Sequence, residues 1–278
     1  MTGRPCKNGR AGTTNRDMDI PHAITAAPAP ALAGVVDRGP DYRLLLADSP
    51  QQVRAAQALR YAVFNTELNE GLSSSHASGL DRDEFDQVCD HLLVLRAGTG
   101  EVVGTYRMLT GTAAARSLGY YCAREFEFER FEPLRSQVLE LGRACIAREH
   151  RSFTVLSLLW RGIAAYAQQH GARYLFGCSS LNSQDPALGM AAYRQMQRQL
   201  APESFRTLPR PDHACPPVLV PLPDFQPPKL LSAYLSLGAW ICGPPALDRA
   251  FGTIDFLTLM DLQSPEMVQR RRRFGVGL

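Results

Sequence analysis

The sequence has no uninterrupted run of about 20 apolar residues, which is the length that a membrane-spanning helix needs. Its best candidate, Leu230–Leu247, is broken by two glycines and two prolines. The seven cysteines are scattered and form no CxxC pair and no cysteine–histidine cluster. Their spacing therefore indicates neither a zinc site nor a disulfide framework, and it favours a reducing, cytoplasmic compartment.

A broad basic surface is also missing, although the formal net charge is +3. The excess lies at the two ends, because residues 1–40 carry five basic and three acidic residues and residues 266–278 carry four arginines and one glutamate. We therefore expect no nucleic-acid partner. The basic ends either contact an anionic partner or membrane surface, or serve only to keep the chain soluble.

Residues 1–40 show no apolar period and are rich in Gly, Ala, Thr, Pro and Arg, so we predict a disordered leader. Residues 41–278 are predicted to form a single domain. Eleven of the twenty prolines lie in residues 202–245, for which the sequence supports no secure secondary structure. Three other prolines follow a capping residue, as Ser49-Pro50, Asp185-Pro186 and Ser264-Pro265. This pairing predicts that helices start near residues 50, 186 and 265.

Hydrophobic periodicity predicts most of the remaining elements. Predicted strands are Tyr42–Leu46, His91–Arg96, Glu101–Leu109, Val138–Ile146, Ala172–Cys178 and Ile254–Leu262, and predicted helices cover about residues 50–66 and 152–170. The strands at 91–96 and 101–109 form a hairpin. Residues 138–178 read as strand–helix–strand, which predicts a parallel pair with a right-handed crossover. The expected fold class is therefore α/β with a mixed central sheet.

Four clusters combine charged side chains with ordered elements. They are Arg60 to Phe64 late in the first helix, the acidic run Asp81 to Asp86, Gly104 to Arg107 in a strand, and Glu140 to Arg143 in the strand that opens the crossover. Strict alternation would place Glu140 and Gly142 on one face of that strand, and Leu141 and Arg143 on the other.

A central strand covered on both faces should be nearly all apolar. Burial of Glu140 and Arg143 there therefore costs folding free energy, unless the two side chains are paired or have a function. One reading is a structural ion network that joins Glu140, Asp83 or Asp86 to the three arginines Arg60, Arg107 and Arg143. The other is a substrate pocket, and the two readings are compatible.

In this order the motifs R-x-x-x-F, D-x-x-D, G-x-x-R and E-x-G-R resemble the N-acyltransferase branch of the GNAT superfamily. That branch contains acyl-homoserine-lactone synthases and ornithine–acyl carrier protein N-acyltransferases. The resemblance covers residues 42 to about 200. The late segment, with Leu230–Gly243 and the arginine-rich end, looks like the ornithine enzymes, and the loop after Phe64 lacks the Trp that is usual in autoinducer synthases.

The resemblance implies a GNAT-like sheet whose crossover strands splay apart to hold the acyl-pantetheine of the donor. It implies transfer of a 3-hydroxyacyl chain from acyl carrier protein to the α-amino group of ornithine, which gives lyso-ornithine lipid. No bound cofactor is implied, because the phosphopantetheine arrives on the carrier protein. The proline-rich segment would then line the acyl tunnel or cover the sheet edge.

The donor phosphate would lie at the start of the crossover helix, near Arg148, Arg151 and Ser152, since free N–H groups at a helix N-terminus bind anions. The GNAT pattern [RQ]-x-x-G-x-[GA] is not matched there, because Arg151 and Phe153 replace its small residues. That departure weakens the case for a coenzyme A pyrophosphate site. The single phosphate of a carrier protein needs fewer hydrogen-bond donors than a pyrophosphate does.

Among the candidate catalytic residues Glu140 and Arg143, Glu140 is the candidate general base that would leave the attacking amine neutral. Arg107 or Arg143 would bind the α-carboxylate of the acceptor by bidentate pairing. Asp83 or Asp86 would bind its side-chain ammonium. The remaining substrate-binding candidates are Arg60 and Phe64, and we expect no metal site.

Three alternatives remain open at this point. The acceptor could be another amine, including one that gives homoserine-lactone-type products. The chain could instead be a catalytically idle GNAT-like module that binds acyl carrier protein or membrane. Finally, His76 and Asp81 have the spacing of the His–Asp pair in glycerolipid acyltransferases, a match that chance alone readily produces.

Overall fold

A computed structural model describes residues 1–2, 41–218 and 224–274, with the backbone alone for residues 270–274. Almost all of the predicted leader, residues 3–40, lies outside the described residues. The strands are β1 Tyr42–Leu46, β2 Asp90–Arg96, β3 Val102–Thr110, β4 Val138–Ile146, β5 Tyr174–Leu181, β6 Trp240–Ile241, β7 Ala246–Asp248 and β8 Thr253–Asp261. The α-helices are α1 Pro50–Tyr61, α2 Gly111–Ala115, α3 Phe153–Gln169, α4 Pro186–Gln195, α5 Lys229–Ser236 and α6 Pro265–Phe274.

All eight strands belong to one mixed sheet with the order β1-β2-β3-β4-β5-β8-β6, and β7 pairs with β8 as well. The first four strands pair antiparallel in sequence order. β4 and β5 then pair in parallel across α3, and β8 returns antiparallel to β5. The predicted hairpin, the parallel crossover and the mixed α/β class are all confirmed.

The three predicted helix starts are also confirmed. Ser49 and Asp185 accept hydrogen bonds from backbone N–H groups of α1 and α4, and each is followed by a proline in the first turn. Ser264 Oγ accepts from Met267 N at 3.2 Å at the start of α6. These side chains satisfy N–H groups that the first helical turn leaves without a partner.

The first helix does not continue regularly to residue 66. After Tyr61 the chain forms a π-helix over Ala62–Glu67, which buries Val63, Phe64 and Asn65. The wider π turn rotates the side chains that follow it, and such turns occur often at functional sites. Phe64 is thereby packed against Phe251, with ring centroids 5.4 Å apart.

Helix α3 covers one face of the sheet, where Val155, Leu159 and Ile163 are fully buried against apolar residues of β1 to β5. The opposite face holds α1 and a cluster of aromatic side chains from the segment before β4. A sheet covered on both faces should carry charge only where other protein groups or a ligand satisfy it. The charged side chains of β3 and β4 lie on this second face.

The two parallel strands separate after three residue pairs. Val138, Leu139 and Glu140 of β4 pair with Tyr174–Phe176 of β5, and no later pair is formed between these two described strands. Just before they separate, the two backbones pass very close to each other. A Cβ atom on Gly177 would lie 2.2 Å from the carbonyl oxygen of Leu141, so only glycine fits there. The expected splay is therefore present, and a glycine marks its origin.

The proline-rich segment contributes to the edge of the sheet and to the space above it. β6 pairs with β8 at the edge, and α5 packs near α3, where the rings of Trp160 and Tyr234 are 5.7 Å apart. The cavity that opens between β4 and β5 is lined by Pro228, Leu230 and Tyr234, among other residues. In the part of the chain that is described, no helix is both long and apolar enough to cross a membrane.

We predict that Gly177→Ala lowers the free energy of unfolding by about 1–3 kcal/mol, because the added methyl group meets backbone that must move. Urea denaturation of the two proteins measures this difference. Gly98→Ala is the matched control, since a Cβ there meets nothing within 4 Å, and its effect should stay within about 0.5 kcal/mol. Equal effects of both substitutions would show that the close approach at Gly177 is not constrained.

Candidate active site

A β-bulge in β4 corrects the expected facing of its side chains. Thr105 of β3 pairs with Cys145 and Arg107 pairs with Gly142, so two residues of β4, at 143 and 144, face one residue of β3. Arg143 has φ +50°, in the left-handed region. The extra residue shifts the alternation, and Arg143 comes to the same face as Glu140 instead of the face of Leu141.

Three arginines and three aspartates form a buried ion network on this face. Its members are Arg60, Arg107, Arg143, Asp81, Asp83 and Asp86, and no side chain among them is more than 8% exposed. Arg60 Nε lies 2.8 Å from Asp81 Oδ1, and its terminal nitrogen lies 2.8 Å from Asp86 Oδ2. The structural network considered from the sequence is thus present, with Asp81 as an added member.

The other two arginines converge on Asp83. Arg107 donates to Asp83 Oδ1 at 2.5 Å and to Asp86 Oδ1 at 3.2 Å, and Arg143 donates to Asp83 Oδ2 at 3.1 Å. Burial alone would raise the pKa of Asp83, but the charges of Arg107 and Arg143 outweigh it and leave that pKa lowered. In Asp86 burial is again outweighed, here chiefly by Arg60, and its pKa is held well below the usual range.

Glu140 lies in the same layer but is not paired with Arg143. Its two carboxyl oxygens accept the backbone N–H groups of Tyr121 and Cys122, at 2.9 and 2.8 Å. Burial raises the pKa of Glu140, and the two backbone hydrogen bonds oppose that shift without cancelling it. The carboxyl is therefore fixed in orientation and shifted toward the pKa range of a general base.

A cavity of about 250 Å³ opens where β4 and β5 separate. Of the residues expected from the sequence to form a site, Phe64, Arg107, Glu140 and Arg143 line it. Arg60, Asp83 and Asp86 form the layer behind and are occupied within the network. Arg143 lies between two rings, 4.9 Å from the centroid of Tyr121 and 4.4 Å from that of Phe251.

The three expected donor residues lie at the start of α3, on the exposed surface. Ser152 caps the helix, with its Oγ 3.4 Å from Val155 N. Arg151 forms a bidentate ion pair with Glu67, at 2.5 and 2.8 Å, which lowers the pKa of that glutamate. Of the two arginines, Arg148 is exposed and Arg151 is already paired, so a phosphate would have to compete with Glu67 for Arg151.

Sequence reasoning missed an acidic group at the far end of the cavity. Glu70, from the loop after the π-helix, lines the cavity together with Asp248 of β7 and Asp255 of β8. Glu125 lies close to Asp255, deeper in the protein. The signal that singled out Glu140, a carboxylate within an apolar strand, was also present at Asp255 in TIDFLTLMD.

The environment of Glu70, Asp255 and Glu125 disfavours their ionised forms. Burial and the neighbouring Asp255 raise the pKa of Glu70 to about 7. Burial and Asp248 raise the pKa of Asp255 to about 6, and burial raises that of Glu125 further. Glu125, Cys178 and Asp255 offer ligand atoms within 4.8 Å of one another, the one such group among the described residues, but protonated acids are weak metal ligands.

The glycerolipid-type reading of His76 and Asp81 is wrong. His76 is exposed and its Nδ1 lies 3.3 Å from the hydroxyl group of Tyr61. Asp81 is fully buried and holds Arg60. The two side chains face different partners, so they cannot act as a catalytic pair.

Comparison with known proteins adds sequence relationships to this geometry. The acetyltransferase (GNAT) domain family matches residues 59–161. The chain is 34% identical to the L-ornithine N(alpha)-acyltransferase of Brucella abortus, over 78% of this chain and 83% of that protein. It is also 34% identical to the protein of the same name from Rhodobacter capsulatus, over 84% of this chain and 94% of that protein.

Among solved structures, a CoA-dependent acyl-homoserine lactone synthase, BjaI, with SAM and isopentyl-CoA is similar with a TM-score of 0.49 and 14% identity. The similarity covers 82% of this chain and 85% of that one.

We predict that Arg60→Ala lowers the free energy of unfolding by about 3–5 kcal/mol, because Asp81 and Asp86 lose the partner that compensates their burial. Urea denaturation at neutral pH measures the loss. Arg135→Ala is the control, since its ion pair with Glu132 is exposed and should be worth less than about 1 kcal/mol. If the two variants lost similar stability, the network would not be a structural element.

Proposed function

This chain belongs to the family of L-ornithine N(alpha)-acyltransferases and is an acyltransferase of the GNAT type, and on this basis we propose that it acylates the α-amino group of L-ornithine. The donor in this proposal is a 3-hydroxyacyl chain carried as a thioester on acyl carrier protein. The product is lyso-ornithine lipid, which makes the reaction the first step of ornithine lipid synthesis. The observation that carries the proposal is the 34% identity to two enzymes of that name over most of both chains.

The open ends of β4 and β5 suit the donor. Beyond Glu140 and Phe176 the facing backbone groups of the two strands have no partner in each other. The amide groups of pantetheine can bond to such an edge as an added strand does. The exposed Arg148 and the first turn of α3 are the proposed site of the donor phosphate.

A second, apolar cavity of about 80 Å³ suits the acyl chain. It lies between α3, α5 and α6, and it shares Trp160 and Leu175 with the wall of the first cavity. Burial of each methylene group that enters it contributes about 0.8 kcal/mol to the affinity for the donor. The thioester carbon would then lie at the junction of the two cavities, close to the bulge in β4.

Glu140 and Arg143 have separate roles in this reaction. Glu140 takes the proton of the α-ammonium, directly or through one water molecule, and the neutral nitrogen attacks the thioester carbon. The carbon–nitrogen bond forms, the carbon–sulfur bond breaks, and the pantetheine thiol leaves with a proton. Arg143, which is in the cavity wall, pairs with the α-carboxylate of ornithine.

The reaction places the protein beside a lipid product. Peripheral contact of the basic ends with an anionic membrane, on the cytoplasmic side, belongs to the same proposal. The four arginines at positions 270–273 would supply that contact.

We predict that the purified protein forms acyl-ornithine from ornithine and a 3-hydroxyacyl carrier protein. Mass spectrometry of the product and release of the free carrier thiol measure the reaction. Homoserine lactone and S-adenosylmethionine serve as competing acceptors in parallel assays. Faster transfer to either of them would replace ornithine as the acceptor, and carrier binding without transfer to any amine would favour a non-catalytic module.

We predict that Glu140→Gln lowers kcat by about 10²- to 10⁴-fold, because the amide cannot accept the proton. The amide also places a donor against one of the two backbone N–H groups, so some loss of structure is expected as well. The pH dependence of kcat/KM separates the two effects. If Glu140 is the base, the variant lacks the acidic limb of the wild-type profile. If its role is purely structural, the variant keeps that limb at a lower rate.

A further inference from the structure

The acidic residues of the cavity take no part in the proposed roles of Glu140 and Arg143. We call Glu70 and Asp255, which line the cavity, the acidic wall. Behind Asp255 lies Glu125, and both of these residues are at most 3% exposed. Asp248 completes the group but is satisfied, because its oxygens accept from two backbone N–H groups and the hydroxyl group of Tyr121.

The protein satisfies the buried acids of this group only in part, although Ser180 and Thr253 hydrogen-bond with the Asp255 carboxyl. Asp255 Oδ1 and Glu125 Oε2 have no hydrogen-bond donor in the described part of the chain while both acids are ionised. A buried carboxyl oxygen without a donor is rare in native proteins and costs free energy. Burial favours a proton on Glu125, the deeper acid, which leaves Asp255 as the carboxylate that faces the cavity. The proton on Glu125 bonds Asp255, so the cavity is where a further donor to the Asp255 carboxylate can be supplied.

The arginines of the site do not supply that donor. The charge of Arg143 lowers the pKa of Glu70. Arg143 is itself hydrogen-bonded to Asp83, and its Nε lies 3.3 Å from Asp81 Oδ1. Conversely, the carboxylates at 83 and 86, which the sequence suggested as the ammonium site, are saturated by the three arginines of the network. The negative charge that remains available lies on the acidic wall and not in the D-x-x-D motif.

One side chain connects Glu140 to the acidic part of the cavity lining. The backbone N–H of Tyr121 donates to Glu140, and its hydroxyl group donates to Asp248 beside Asp255. Glu140 and Asp248, which both line the cavity, are thus about the length of one tyrosine apart. An α-amino acid with a terminal ammonium on a short methylene chain spans a similar length.

We propose that Glu70 and Asp255 bind the side-chain ammonium of the acceptor and so select a diamino acid over its uncharged analogues. This inference rests on the proposed acyl transfer to an α-amine. In the bound acceptor, Glu140 faces the reacting nitrogen and Arg143 faces the α-carboxylate. The acidic wall faces the second nitrogen. The incoming N–H groups donate to the carboxylates of the wall, and the cation keeps both acids ionised.

The test compares ornithine with 2-aminopentanoic acid, which has the same carbon chain without the ammonium. We expect the wild-type protein to prefer ornithine in kcat/KM. Glu70→Gln should raise KM for ornithine about 10- to 100-fold, the loss expected for a charged hydrogen bond, and leave KM for the analogue unchanged. Asp255→Asn should act in the same direction, and Glu101→Gln, at an exposed position, is the matched control.

Stability separates recognition from a structural role. Burial raises the pKa of Glu70 to about 7, so the folded state favours the protonated acid, and stability is lost as the pH rises from about 4.5 to about 7. Glutamine cannot ionise. Glu70→Gln should therefore have a Tm at pH 8 equal to or above that of the wild type, while its use of ornithine falls.

Binding without the donor keeps the inference independent of turnover. Ornithine should raise the Tm of the wild-type protein more than 2-aminopentanoic acid does, also in EDTA, and Glu70→Gln should abolish the difference. Equal shifts by the two amino acids, or an unchanged KM ratio in both variants, would overturn the inference. So would a shift that EDTA removes, which would assign the acids to a metal ion. Selective binding without any acyl transfer would instead refute the proposed function alone.

Discussion

The buried network of three arginines and three aspartates is the constraint on which the site depends. It ties the loop at residues 81–86 to α1, β3 and the bulge in β4, so the position of Arg143 follows from contacts with Asp81 and Asp83. Charges taken out of water gain little net stability from pairing, but removal of one partner is costly, so such a network specifies geometry more than it adds free energy. Here the geometry specified is the bulge, which brings Arg143 and Glu140 to one face beside the point where β5 separates from β4.

The sequence predicted the parts of the fold that local patterns determine. Alternating apolar residues located the strands, and the Ser-Pro and Asp-Pro pairs located three helix starts, because each pattern acts within a few residues. The facing of Arg143 could not be predicted this way, since a bulge depends on what the added residue contacts across the sheet. Likewise, Glu140 was recognised as unusual, but its partners are backbone N–H groups at residues 121 and 122, which a search for opposite charges does not consider. Asp255 carried the same signal and was overlooked in a strand that otherwise reads as core.

The charges of the site divide into those that the protein satisfies and those that it does not. Arg60, Arg107, Asp83 and Asp86 are satisfied within the network, and their motif is therefore explained by structure before any substrate is considered. Arg143 belongs to both groups, because it is held by the network and also lines the cavity. Asp255 of β8, whose Oδ1 has no donor in the described part of the chain, lines the same cavity together with Glu70 from the loop after the π-helix. A conspicuous charged motif can thus be the frame of a site, while less conspicuous residues contact the substrate.

This division of charge bears on which nitrogen of a diamino acid reacts. In water an α-ammonium has a lower pKa than a side-chain ammonium, whose pKa is about 10.4, so the α-nitrogen is already the easier one to deprotonate. In the proposed arrangement the acidic wall would widen that difference, since carboxylates stabilise the charged form of the nitrogen beside them. At the reacting end the single carboxyl, Glu140, is held by two N–H groups and has a raised pKa, so it accepts a proton from an amine more readily than an ordinary carboxylate. One cavity would then keep one amine charged and release the proton of the other, and selectivity for the α-position would follow from that contrast.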